Sequence, residues 1–220
     1  MTDIIDEVVA SFRQIRIMQQ GLRDADHSCG EPSCHRLLEG AWDRIGRLIE
    51  ISTDAELEVC FPFMFGTGPP DLEQLRDAVA DIRDLREAVD EARLQPAASP
   101  GWRRAATAAR SLCMRHLDCQ ERALARYCRR APRSERMKLA GQWRAFSSAR
   151  MADLVPSAQR DGQACQFCRW PLTGGHRHVL DSRSLGIYCS CDVCHGLFQQ
   201  LKACPDHHRR NGTLSSARAR

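Results

Sequence analysis

Two CxxC pairs, Cys165-Gln-Phe-Cys168 and Cys191-Asp-Val-Cys194, stand 22 residues apart, and no other feature restricts the C-terminal part of the chain as much. Two such turns joined by a pair of strands bring four sulfurs to one point, and tetrahedral Zn²⁺ accepts four thiolates at about 2.3 Å. The opening residues, MTDIIDEVVASFRQ, are acidic and amphipathic and show no basic stretch leading into an apolar run, so no signal peptide is predicted. No segment approaches the roughly 18 apolar residues of a membrane span. The chain is therefore expected in the cytosol, where thiols stay reduced. Its 12 cysteines then ask for metal or redox chemistry rather than a disulfide framework. Paired knuckles flanking a hairpin fit zinc better than an iron-sulfur cluster.

The expected site is a structural Zn²⁺ held by Cys165, Cys168, Cys191 and Cys194. A segment this short cannot bury an adequate core, so metal should supply much of its folding energy. Further ligand types crowd the same region: His176, His178, Cys189, Cys204, His207 and His208. They can belong to a second metal, or be ordinary polar residues of strands, with Cys189 turned to the opposite face by strand alternation. Cys29, Cys34 and His35 form a weaker group at unorthodox spacing.

Upstream, the texture is helical. One apolar stripe runs Ile5, Val8, Val9, Phe12, Ile15, Leu22; a second Leu38, Ala41, Trp42, Ile45, Leu48, Ile49, Ser52, Glu56, Val59. A third runs Leu72, Leu75, Val79, Ile82, Val89, and a fourth Ala105, Ala109, Leu112, Cys113, His116, Gln120, Ala123, Leu124, Tyr127. Breakers separate them at 27–34, 61–71 and 95–101, and Asp71 is a fitting N-cap for the third. A shorter helix over about 134–151 carries Leu139, Trp143 and Phe146 on one side. After Pro156 the periodicity stops, and HRHVLDSRSLGIYCS reads as two short strands around a turn. The predicted organisation is mainly α: an antiparallel four-helix bundle over 1–155, then a small zinc-ribbon domain and basic tail over 156–220.

Charge is unevenly spread. Residues 1–100 carry ten Lys and Arg against 20 Asp and Glu, whereas 101–160 carry 14 against four. Segments that fold together would neutralise one another, which weakens the case for a nucleic-acid footprint.

Two resemblances add to this reading. The stretch CQFCRWPLTGGHRHVLDSRSLGIYCSCDVCHGLF resembles an uncharacterised bacterial family with CxxC, a HxHxxD stretch and CxCxxC followed by LF, encoded in actinobacteria beside [NiFe]-hydrogenase genes. The segments RLIEISTDAELEVCFPFM and RSLCMRHLDCQERALARY resemble the hemerythrin-like cation-binding family, whose HxxxE helices hold two irons. At the ligand positions implied by that resemblance the chain has Phe12, Ser52, Glu56, Val79, His116 and Gln120. Only Glu56 and His116 are good ligands, and two ligands cannot hold two irons, so the diiron site is expected to be lost. Cys60 and Cys113, one turn from Glu56 and His116, either join them in a mononuclear site or serve as small buried hydrophobes.

There is no GxSxG, P-loop, GxGxxG or HExxH motif. The expected function is that of a non-catalytic cytosolic metal-binding interaction or accessory protein with a protein partner and no membrane, linked through the first resemblance to a redox or hydrogenase system. Its rivals are a zinc-ribbon nucleic-acid-binding regulator using Arg129, Arg130, Arg133, Arg136 and the C-terminal arginines, and a thiol/zinc redox sensor.

Overall fold

The computed structural model describes residues 3–28, 32–65, 72–153, 165, 172, 176–181, 187–203 and 214–217. The chain is mainly helical: α1 (Ile4–Ser28), α2 (Pro32–Ala55), a π-helical turn (Glu56–Cys60), α3 (Phe61–Phe65), α4 (Leu72–Arg93), α5 (Pro100–Cys128), α6 (Arg133–Asp153) and α7 (Asp192–Ala203). Three strands, β1 (Arg177–Asp181), β2 (Ile187–Ser190) and β3 (Leu214–Ala217), form an antiparallel sheet in the order β2-β1-β3. None of the described helices is long and apolar enough to cross a membrane. Two compact units divide the chain: Met1–Ile15 with Gly46–Ala152, and Arg16–Ile45 with Asp153–Arg220.

In the first unit the apolar stripes lie inside, with Ile4, Val8, Phe12 and Ile15 of α1, Leu48, Ile49 and Ile51 of α2, and Leu139, Ala140 and Trp143 of α6 all buried. On α4 the buried stripe is Ile82, Leu85, Val89 and Ala92, whereas Val79 is 43% exposed. Among the described side chains the third expected stripe is buried only from Ile82 on, with Leu75 half-buried, and Val79 does not face an interior. α4 packs along α5, whose buried Ala105, Ala106 and Ala109 are small enough to let a neighbouring helix come close.

Pro62 explains the π-helical turn. A proline has no N–H to give to the carbonyl four residues back, and its ring would strike that carbonyl in α geometry. The chain widens by one residue just before it: the Phe61 N–H donates to Glu56 O, a five-residue spacing. Phe61–Phe65, expected as part of a breaker, consequently continues as a short helix. Asp71, the expected N-cap of α4, lies outside the described residues.

Ion pairs carry the charge compensation anticipated from composition. Arg136, Arg144 and Arg150 of α6 pair with Asp3, Glu7 and Asp54, and Arg86 of α4 pairs with Asp54 while donating to Thr53 Oγ1. Arg93 pairs with Glu50, and Gly46 leaves the room for it, since a Cβ there would run into the guanidinium.

In the second unit α7 packs on parts of α1 and α2. A Cβ at Gly196 would lie 2.8 Å from Leu37 Cδ1, one at Gly40 would lie 3.6 Å from Val193 Cγ2, and one at Gly21 would lie 3.9 Å from Leu197 Cδ1. Leu37, Gly40 and, one turn on, Arg44 share a face of α2. The terminal residues, expected as a basic tail, contribute β3, where Leu214–Ala217 pairs with β1.

α5 begins at an N-cap that the sequence pattern does not announce. Ser99 Oγ accepts from the Trp102 N–H at 3.0 Å, Pro100 follows it at the first helical position, and Ala98 turns the chain with φ 62°. Ser99→Ala should lower unfolding free energy by about 1 kcal/mol, read from urea unfolding followed by circular dichroism. Ser99→Asp should retain most of it.

Candidate metal centre

Cys191 follows β2 directly, and α7 starts at the next residue, so the chain turns from strand to helix around one sulfur. The Cys194 N–H, in the first turn of α7, donates to Cys191 Sγ at 3.4 Å. Helix N-termini favour negative charge, which suits a thiolate at this place. Cys165 arrives from a distant part of the chain, and its sulfur and those of Cys191 and Cys194 all lie within 4.8 Å of one another. All three residues are buried, at 0%, 6% and 2% exposure. Ligand sulfurs around a tetrahedral Zn²⁺ stand roughly 3.8 Å apart, so small shifts of side chains bring this triangle to metal-binding dimensions. The cluster can hold a metal ion. Cys168, the fourth expected ligand, lies outside the described residues, as do Cys204, His207 and His208.

The surroundings brace the turn. Arg177 Nε of β1 pairs with Asp192 Oδ1 at 3.1 Å, the buried Ser190 donates through Oγ to Arg177 O, and the His195 N–H donates to Cys191 O at 2.9 Å. Arg44 Nη1 of α2 donates to Cys191 Sγ. Among the described residues no second group of three ligands occurs, and neither His176 nor His195 belongs to the thiol cluster. His178 and Cys189 are register partners across β1 and β2. Two residues of this centre were not singled out from sequence: His195, buried beside Cys194 and signalled only by adjacency to the knuckle, and Arg44, which is 147 positions from Cys191 and has no sequence signal at all.

The helical ligand positions are a different matter. Phe12, Ser52, Glu56 and His116 are buried, Gln120 is half-buried and lines an open groove with Phe61, Phe65, Arg126 and Tyr127, and Val79 is exposed. His116 Nε2 stands 3.0 Å from Glu56 Oε2 and 3.3 Å from Oε1, and only the second contact has hydrogen-bond geometry. This leaves Glu56 Oε2, His116 Nδ1 and Ser52 Oγ buried without hydrogen-bond partners among the described residues. Cys60 and Cys113 do not gather with this pair into a group of three ligands. Burial, then the negative charge of Glu56, pushes the Cys60 thiol well above its ordinary range. Burial, then Asp3, pushes Cys128 up to about 11 against the opposing pull of Arg136. Both thiols are protonated at neutral pH, the wrong form for ligation.

One family model finds a counterpart in this chain. Residues 164–217 match the Family of unknown function (DUF5947). No curated protein and no solved structure matches the chain. The DUF5947 segment spans all three described cysteines of the cluster, β1, β2, α7 and β3, and stops short of the helices that precede residue 153.

Two outcomes follow from the helical unit. Glu56→Leu and His116→Leu, each leaving one buried polar partner alone, should each lower unfolding free energy by about 1 to 3 kcal/mol, and the double variant should lose less than their sum. Because folded Cys60 and Cys128 hold their protons more tightly than a free thiol of 9.0, their contribution to stability is complete below about pH 9 and is lost as pH rises toward 11. Urea unfolding at pH 8, 9, 10 and 10.5 should show that decline, and Cys60→Ala/Cys128→Ala should flatten it.

Proposed function

We propose that this chain is a non-catalytic accessory protein built around a tetrathiolate zinc site, and that Cys165, Cys168, Cys191 and Cys194 are its ligands. The observation that carries the reading is the convergence of three of those four sulfurs within 4.8 Å, in a buried place at a helix N-terminus. Zinc with four sulfurs leaves no open coordination position, so a role as a staple follows and hydrolytic chemistry does not. The zinc-ribbon description rests on the pairing of β1 with β2 between the two CxxC turns.

For the helical part we propose a hemerythrin-like four-helix bundle without its two irons. The support is the ligand set: buried Phe12 and exposed Val79 offer no donor atom, and Glu56 and His116 are turned toward one another. In this reading the pair is a polar tie rather than a metal site. A protein partner in a redox or hydrogenase system is the target to which the CxCxxC resemblance points. Nucleic-acid binding has the weaker support, because Arg136 is already paired with Asp3 and other basic residues of α6 with Glu7 and Asp54.

Elemental analysis of untagged protein should give about one zinc per chain. Cys191→Ser should lower both zinc content and protease resistance of the C-terminal segment. Full zinc occupancy in Cys165→Ser/Cys191→Ser would overturn the assignment, and stoichiometric iron with oxo-bridge absorption in the wild-type chain would overturn the reading of the helical unit.

A further inference from the structure

We propose that Arg44 is a working part of the metal centre: its guanidinium holds and neutralises the Cys191 sulfur and thereby sets how fast the centre gives up its metal. The inference rests on the tetrathiolate reading above and goes beyond it, since no sequence motif and no family match reaches residue 44.

Three observations carry it. The first is contact: Arg44 Nη1 donates to Cys191 Sγ, so this sulfur accepts both the Cys194 amide and a permanently charged group. The second is how Arg44 gets there. Leu37, Gly40 and Arg44 lie on one face of α2, and Gly196 and Gly40 are the places where α7 and α2 come close enough to meet Leu37 and Val193. Two glycines thus bring the helix carrying Cys194 against the helix carrying Arg44. The third is charge. Four thiolates around a divalent ion leave two negative charges in a buried place, and a guanidinium in contact with one sulfur removes half of that excess. Guanidinium stays protonated at any pH at which the protein folds, so its charge is a fixed part of the site.

A donor on a ligand sulfur draws electron density out of its lone pairs. That makes the sulfur a poorer target for protons, and a sulfur that protonates less readily detaches from its ion less readily. Losing such a supporting contact costs metal sites about 10- to 100-fold in affinity. Lysine retains the charge without the planar fork, and glutamine retains a donor without the charge, which lets the two contributions be separated.

The test uses full-length wild-type protein, Arg44→Lys and Arg44→Gln, with helicity followed by circular dichroism. Zinc transfer to a chromogenic chelator at pH 7.4 should speed up at least tenfold in Arg44→Gln, with Arg44→Lys in between. After cobalt(II) substitution, the sulfur-to-cobalt charge-transfer band should move to longer wavelength in the same order, because the freed sulfur lone pairs lie higher in energy. The band reports on the sulfur itself, so a merely structural Arg44 would leave it in place. An unmoved band with wild-type release rates in both variants overturns the assignment of Arg44. Should Arg44→Gln fail to fold, Arg44→Lys alone decides by the same two readouts. A wild-type chain that binds neither zinc nor cobalt would instead remove the tetrathiolate reading on which this rests.

Discussion

Three buried cysteine sulfurs within 4.8 Å of one another pose an electrostatic problem that the surrounding structure must answer. As thiols they are small hydrophobes; as thiolates they repel, and burial multiplies the cost. The local structure favours the charged form at one of them: Cys191 sits where β2 ends and α7 begins, under the helix N-terminus, with the Cys194 amide and the Arg44 guanidinium both directed at its sulfur. The features of the second unit that look incidental in isolation, two glycines at a helix contact, an arginine on a distant helix and an aspartate paired to β1, serve this one location.

The first unit solves a different problem with the same physics. It buries a carboxylate and an imidazole together, at 2% and 3% exposure, and ties them with one hydrogen bond. Pro62 widens the preceding turn, and Glu56 stands at the start of that wide turn. Such turns occur mostly as single-turn bulges inside α-helices. Glu56 and Cys60 are the buried residues of this one, and burial beside Glu56 keeps the Cys60 thiol protonated. The one hydrogen bond leaves Glu56 Oε2 and His116 Nδ1 without hydrogen-bond partners among the described residues.

Among the described residues Glu56 and His116 are partners of one another, burial raises the thiols of Cys60 and Cys128, and the one group of three ligands is that of Cys165, Cys191 and Cys194. The accessory role proposed above rests on that centre being closed by a fourth sulfur, since a closed metal site leaves no coordination position for a substrate.

Much of this was legible before any fold was known. Helical periodicity locates α1, α2, α5 and α6 because burial of one face imposes a 3.6-residue repeat on the chain, and the double CxxC marks Cys165, Cys191 and Cys194 because metal ligation demands short, fixed spacings. What the sequence alone did not determine are events between distant positions or against local preference. Val79 fits the apolar repeat of α4 yet lies at the surface, since periodicity names a face but not where along a helix a neighbour begins to cover it. Phe61–Phe65 stays helical past a proline because a wide turn absorbs the clash. Arg44 reaches Cys191 across 147 residues because helix packing put its face there, and Leu214–Ala217 is a strand because β1 offers a free edge. Local chemistry is written in spacing, and spacing survives in one dimension; charge compensation and edge pairing depend on which surfaces meet, and only the folded chain decides that.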